Sequence, residues 1–409
     1  MVDLESAKRA AATDAEIRAR VDELIAAMTP AEKAGQLTQY FYFGADVDAE
    51  AAPTQDGEAP KAATVEEALA RGEAGSLLFV TDPAEINRLQ RLTVEGNRFG
   101  IPALFGFDVI HGLRTILPVP IAMAASWDPA TIERGQSVAA REARAVGIHW
   151  TFAPMVDIAR DPRWGRIIEG AGEDPFLGSA VAAAQVRGFQ GDAIGTPERV
   201  IAGPKHFAGY GAAIGGRDYD EVNLSDAELW NVYFPPFVAA LQAGAGNVMT
   251  AYMDLNGIPA TGNRWLYTDD LRGTFGFRGF VVSDANAVRN LVTHGFAADL
   301  TDAGARAVSV GIDMEMAMSD LPMPICPRRS ERARPPRRPW TPVWRGCWRP
   351  SSGWACSTTR TSTRTGLATC SPIPRIGRWP ASPRSDRRCC CATRATCCRW
   401  TRAASDRSR

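Results

Sequence analysis

The amino-acid sequence predicts a parallel α/β fold, closed as a (β/α)8 TIM-type barrel. Short apolar runs alternate with longer helical patterns across residues 15–321, which is the signature of strand–helix units. Polar side chains stand just beyond the ends of several of those runs. The length suits a barrel of roughly 250 residues with additions. A doubly wound sheet has the same alternation, but no Gly-rich phosphate fingerprint follows the first strand, which lowers that option.

The predicted strands lie at 76–80, 103–107, 150–154, 200–204, 247–252, 280–283 and 308–314. Helix starts separate them. Thr29-Pro30 with Glu32 fits a capping box with Pro in the first turn, and Asp82-Pro83 with Glu85 repeats it. Asp128-Pro129 opens a third helix that Gly147 can end in a left-handed cap, and Ser225 with Glu228 opens a fourth.

Composition narrows the function classes. Hydrophobic residues make up 45% and charged residues 22%, enough for a sizeable core. The formal net charge of zero hides an asymmetry: residues 1–321 hold 43 acidic against 26 basic side chains, whereas 322–409 hold 20 Arg and three acids. An acidic body argues against nucleic acid as partner. No run approaches the ~18 apolar residues of a membrane span. The N-terminus has no apolar signal region, so the chain as written is expected to be cytoplasmic, or periplasmic if the start codon is mis-called. Oligomeric state is not legible.

In a barrel, the C-terminal strand ends form the active-site face. Asp108 follows ALFGF, Arg160 follows WTFAPMVDIA, Lys205 and His206 follow VIAGP, Tyr252 follows NVMTA, and Asp284 follows FVVS. Asp284 could be a helix N-cap or a catalytic carboxylate. Lys205-His206 could bind neighbouring hydroxyls, or be a surface Lys beside a core His. Asp108 could accept from a hydroxyl pair, or pair with His111 or Arg114. Within RDPRWGRIIEGAGED, Arg163, Arg166, Glu169 and Glu173 read as a buried salt network shaping the loop, and Arg160, nearest the strand, as the substrate contact. Four His without paired spacing and a body without Cys make a poor case for a metal, and no nucleophile elbow is present.

Five segments resemble glycoside hydrolase family 3, in its β-glucosidase group: LFGFDVIHGLRTILPVPIAMAASWD, FAPMVDIARDPRWGRIIEGAGEDPFLG, GPKHFAGYGAAIGGRDY, MTAYMDLNGIPATGNRWLYTDDLRGTFGFRGFVVSD and VGIDMEM. The resemblance runs from about 21 to 318. It implies an N-terminal barrel over 21–321, preceded by a short segment at 1–20. It implies retaining double displacement at a terminal non-reducing sugar of a β-glucoside or short β-glucan, without a cofactor. By motif, Asp284 falls on the nucleophile, Asp108, Arg160, Lys205, His206 and Tyr252 on sugar-binding positions, and Asp218 on a residue orienting His206. Ala285 and Asn286 stand where many members have an aromatic residue after the nucleophile. The N-acetylglucosaminidase branch fits less well, because its Asp-Ser-His loop has no counterpart here.

Residues 322–409 depart from the family, which continues with a linker and a second domain that usually lends a Glu as acid/base. Rich in Arg, Pro, Ser and Trp, and holding all nine Cys, this stretch lacks helix or strand period. Read two nucleotides later, the codons of 389–400 permit Leu-Leu-Arg-(Asn or Asp)-X-Gly-(Asn or Asp)-Leu-Leu-Pro-Leu, which resembles the approach to that domain. The codons of 353–363, shifted alike, permit X-Gly-Leu-Phe-Asp-Asn-Pro-Tyr-Val-Asp, which resembles the linker. An indel near codons 320–326 accounts for both, and 322–409 is then an out-of-frame, disordered tail whose Cys are neither metal ligands nor disulfides. The expected function is a β-glucosidase. The alternatives are β-xylosidase specificity or an impaired sugar-binding remnant without its acid/base.

Overall fold

The computed structural model describes residues 14–44 and 62–317. The expectations for residues 322–409 lie outside these residues. So does most of the 1–20 segment, although its last residues begin the helix Asp14–Ala27, ahead of the expected boundary.

Among the described residues, ten strands occur in chain order: β1 (Thr38–Phe41), β2 (Ser76–Leu78), β3 (Leu104–Phe107), β4 (Trp150–Thr151), β5 (Ile201–Ala202), β6 (Asn247–Met249), β7 (Asp254–Leu255), β8 (Ile258–Pro259), β9 (Phe280–Ala285) and β10 (Met314–Ala317). Eight of them form a parallel sheet in the order β5-β4-β3-β2-β1-β10-β9-β6, and β7 and β8 make a separate antiparallel hairpin. The sheet closes between β5 and β6 through Phe207 N–H donating to Met249 O at 2.9 Å and Met249 N–H donating to Pro204 O at 3.1 Å. The predicted (β/α)8 barrel is therefore what the chain forms. Among the described residues, no helix is long and apolar enough to cross a membrane.

The helices follow from local chemistry. Thr29 and Glu32 form the capping box of helix Pro30–Gln36, as do Ser225 and Glu228 farther on. Helix Pro129–Val146 buries Ile132, Gln136, Ala139, Ala140 and Ala143, one stripe at helical spacing, and Gly147 ends it at φ 104°. The start at Asp82 differs from prediction. Asp82 caps the Glu85 N–H, but the Glu85 side chain turns to Arg88 and Tyr42 instead of back to the cap.

The strand predicted at 308–314 is a correction. Val308 to Val310 are the last turn of helix Leu300–Val310, Gly311 reverses the chain at φ 109°, and the strand starts at Met314. A buried helix face and a buried strand both read as an apolar run, so period alone does not separate them.

The barrel interior is filled by side chains. Trp150 packs against Phe152 and Phe280 at ring-centroid distances of 4.8 and 4.9 Å. Gly106 makes room for it, since a Cβ there would lie 2.3 Å from Trp150 Nε1 and 2.7 Å from Phe152 Cζ. Gln39 reaches across to Ser76 Oγ at 2.7 Å.

Glu315 on β10 is buried, and its Oε2 has no hydrogen-bond partner. Burial raises its carboxyl from 4.5 to about 8, with Arg289 only partly offsetting it. The folded protein thus holds the proton between those two values while the unfolded chain releases it. Stability contributed below pH 4.5 is lost as pH rises toward about 8. We expect Glu315→Gln to gain on the parent by about 1–3 kcal/mol between pH 5 and pH 8. Denaturant unfolding at the two pH values checks this, and parallel pH dependence in both proteins would contradict it.

Candidate active site

Asp284 lies within β9, at the C-terminal mouth of the barrel, and is not a helix cap. Its Oδ1 accepts from Tyr252 Oη at 2.8 Å and from the Ala285 N–H at 2.7 Å, while its own N–H donates to Thr250 Oγ1 at 3.2 Å. His206 Nε2 stands 3.2 Å from Oδ2, within ion-pair reach but off the line of a good hydrogen bond. Burial alone would push this carboxyl up. The His206 contact and the charges of His206, Lys205 and Arg166 outweigh it and hold the group down at about 2. Asp284 is therefore a carboxylate across the physiological range.

Lys205 and His206 enter the site from the segment after β5, and the peptide between them is cis. Lys205 is buried, and its Nζ meets Asp108 Oδ1 at 2.7 Å, joining two residues that are 97 apart in the chain. Asp108 thus pairs with Lys205, not with His111, whose ring bonds Leu117 O, or with Arg114. The His206 ring is fully buried between carboxylates, with Nδ1 2.8 Å from Asp157 Oδ2. The same Oδ2 accepts the His206 N–H at 2.9 Å.

Asp157, then, and not Asp218, orients His206. Asp218 instead accepts from Trp164 Nε1 at 2.9 Å. The sequence holds a signal for Asp157, since it ends the apolar run that begins at Trp150, whereas the family motif points to Asp218.

Arg160 is the other displaced expectation. It is half exposed and pairs with Glu228 at 2.7 Å, and no contact links it to Asp284. Arg166 is the cation at the site. The short turn Gly165–Glu169 brings it back over the barrel mouth, where Glu169 binds it at two points, 2.7 and 2.9 Å. It also lies over the Tyr210 ring at 5.7 Å. Burial would lower the guanidinium, but Glu169 and the charge of Asp284 raise it. Burial likewise would raise Glu169, but Arg166 brings its carboxyl below the usual value. The expected network is thus reduced to this pair, because Arg163 is exposed and binds Asp161 instead.

Tyr252 completes the arrangement. Its ring sits edge-on to Tyr219 at 5.0 Å, and burial with the charge of Asp284 keeps its phenol protonated well beyond neutral pH. The result is an ionised carboxylate at the floor of a polar mouth, ringed by Lys205, His206 and Arg166 as donors and Asp108 as acceptor. Such a group can take nucleophilic and hydroxyl-binding roles together.

The family model for the glycosyl hydrolase family 3 N-terminal domain matches residues 29–325. The chain belongs to glycosyl hydrolase family 3. It is 40% identical over 297 residues to a periplasmic β-glucosidase of Salmonella typhimurium, covering 73% of this chain and 37% of that protein. It is 34% identical over 322 residues to a putative β-xylosidase of Formosa agariphila, covering 74% of this chain and 41% of that protein. Among solved structures, a β-glucosidase from Listeria innocua in complex with isofagomine superposes with a TM-score of 0.67 at 41% identity, covering 74% of this chain and 41% of that one. Structures of the Listeria enzyme with glucose, and of a mutant with laminaribiose, are equally similar in fold, at TM-score 0.67. The chain thus spans about two fifths of the length of these relatives.

The placement of Arg160 and Arg166 is open to a direct test. Arg166→Ala is expected to weaken glucose binding by roughly tenfold or more, because it removes a charge-assisted donor and leaves Glu169 unpaired. Arg160→Ala should stay within about twofold, as an exposed ion pair contributes little. Titration calorimetry reads both, and the opposite ranking would reject the assignment.

Proposed function

We propose that this barrel is the catalytic part of a retaining exo-β-glycosidase of β-glucosidase type, with Asp284 as nucleophile. The observation that carries the reading is the state of Asp284: a buried carboxylate at a barrel strand end, held ionised by the His206 contact and by Lys205 and Arg166. Tyr252 and the Ala285 N–H occupy Oδ1, which leaves Oδ2 the freer oxygen for attack.

In the first step Oδ2 bonds to the anomeric carbon as the bond to the leaving-group oxygen breaks. Water then attacks that carbon from the opposite side, losing a proton that solvent carries to the departed leaving-group anion, and the ester bond to Asp284 breaks to return the carboxylate. The sugar leaves with its original configuration. Lys205, His206, Asp108 and Arg166 bind the hydroxyls of the terminal sugar, and Asp157 fixes the His206 ring. β-Glucosides or short β-glucans are the proposed substrates, in keeping with the names of the Salmonella and Listeria relatives.

β-Xylosidase specificity is the second reading, favoured by the Formosa relatives of that name. The test is product analysis by NMR with 2,4-dinitrophenyl β-D-glucoside and its xyloside. Release of β-glucose ahead of mutarotation supports the reading, and a first-formed α-anomer rejects retention. A higher kcat/KM on the xyloside would move the specificity to the second reading.

A further inference from the structure

The segments that leave β6 and β9 are joined twice at the rim. The strands themselves pair in parallel, Asn247 to Met249 along Phe280 to Val282. Just past their ends, Tyr252 Oη donates to Asp284 Oδ1 at 2.8 Å. Farther out, Asp254 of β7 meets His294, which follows the short helix Asn290–Thr293, with Oδ1 2.5 Å from the ring Nδ1. Asp254 stands two residues after Tyr252, and His294 ten after Asp284. The four side chains therefore close a ring: along the chain from Asp284 to His294, across to Asp254, back to Tyr252, and across to Asp284.

Asp254 is anchored on its other side as well. Its carbonyl accepts from the Val222 N–H at 2.9 Å, and the Asn256 side chain brackets Leu224, accepting from its N–H and donating to its O, each at 2.9 Å. Asn256 and Gly257 turn the β7–β8 hairpin at φ 52° and 78°, the left-handed pair that a two-residue turn requires. The hairpin is thus seated on the segment after β5, and the Asp254 side chain ties it to the segment after β9. Facing a carboxylate, the His294 Nδ1 carries the ring proton. The two side chains are 23% and 30% exposed, and such a pair contributes little to overall stability. What it can do is fix the distance between the two segments that hold Tyr252 and Asp284.

We propose that His294 and Asp254 are positioning residues for the nucleophile. Their contact holds the segment after β6 so that the Tyr252 hydroxyl stays on Oδ1 and leaves Oδ2 of Asp284 for attack. A small misplacement of that hydroxyl slows the step, because the attacking oxygen must already be aligned. The inference rests on the β-glycosidase reading and adds two residues that act through Tyr252, not on the sugar.

The test is a mutant cycle on kcat/KM of the full chain with 2,4-dinitrophenyl β-D-glucoside, beside glucose affinity by titration calorimetry. His294→Ala and, independently, Asp254→Ala should lower kcat/KM about three- to fivefold, the range open to a partly exposed ion pair, while glucose affinity stays within about twofold. His294→Asn keeps an N–H where Nδ1 stands and should return to within about twofold of the parent. Tyr252→Phe removes the hydroxyl that the pair positions, so His294→Ala added to it should cost nothing further. A His294→Ala loss that persists in full beside Tyr252→Phe, or that His294→Asn does not relieve, marks a general structural role and overturns the proposal. So does an unchanged kcat/KM in either alanine variant, or a glucose affinity that falls in step with it. A parent that does not turn over the glucoside overturns the β-glycosidase reading itself, and the positioning role with it.

Discussion

Asp284→Ala will not form a glycosyl-enzyme. With a 2-deoxy-2-fluoro-β-glucoside bearing a good leaving group, the parent should gain the mass of one fluoroglucosyl unit on the peptide containing Asp284. The variant should gain none, and its turnover of activated glucosides should fall by about 10⁴-fold or more, as expected when the nucleophile of a cooperating site is removed. The reason lies in the electrostatics. The His206 ring, Lys205 and Arg166 converge on this carboxylate and hold it near 2 despite its burial, so no other group at the mouth is as well prepared to attack. Labelling that persists in the variant, or that maps to Asp108 or Asp157, would overturn the nucleophile assignment.

Turnover by the parent will depend steeply on the leaving group. Within the described site the carboxylates besides Asp284 are each engaged: Asp108 with Lys205, Asp157 with His206, Glu169 with Arg166, and Asp218 with the Trp164 indole. Glu169 is moreover held below its usual value. None is placed as a protonated donor for the departing oxygen. General acid catalysis typically contributes ~10²–10⁴-fold, and it counts most for poor leaving groups. A plot of log kcat/KM against leaving-group pKa, from dinitrophenyl to alkyl glucosides, should therefore slope strongly downward. A flat plot would show that an acid serves the site and would reject the impaired-remnant reading.

The fold was largely legible because it rests on local pattern. Strand–helix alternation, the capping boxes at Thr29 and Ser225 and the Gly147 cap are each encoded within a few residues. The errors arose where local pattern is ambiguous or silent. β1 escaped the strand prediction because Gln39 and Thr38 interrupt its apolar character, yet both are buried, Gln39 through its bond to Ser76 inside the barrel. Val308 to Val310 resemble a strand in sequence because a helix face and a strand share the same apolar run.

The site shows the same division. Asp284, Lys205, His206, Tyr252 and Asp108 were legible because each stands just past an apolar run, where a barrel delivers side chains to one rim. Nearness to the strand along the chain points to Arg160, not to Arg166. The turn at Gly165–Glu169 reverses that order in space, carrying Arg166 over the mouth and leaving Arg160 at the surface with Glu228. Asp157 lost to Asp218 for a related reason, since the sequence shows which carboxylates are near but not which one faces His206.

What the sequence determined by itself is the order of elements, the closed parallel sheet they build, and the rim on which the polar side chains gather, because these follow from periodicity, caps and chain direction. Only the tertiary structure decided which groups pair and which ionise. Lys205 meets Asp108 across 97 residues and His206 meets Asp157 across 49. The state of Asp284 depends on burial opposed by His206, Lys205 and Arg166 from other segments. Desolvation and Coulomb interactions act through space over a few ångströms, and separation along the chain says nothing about those distances until the barrel has closed.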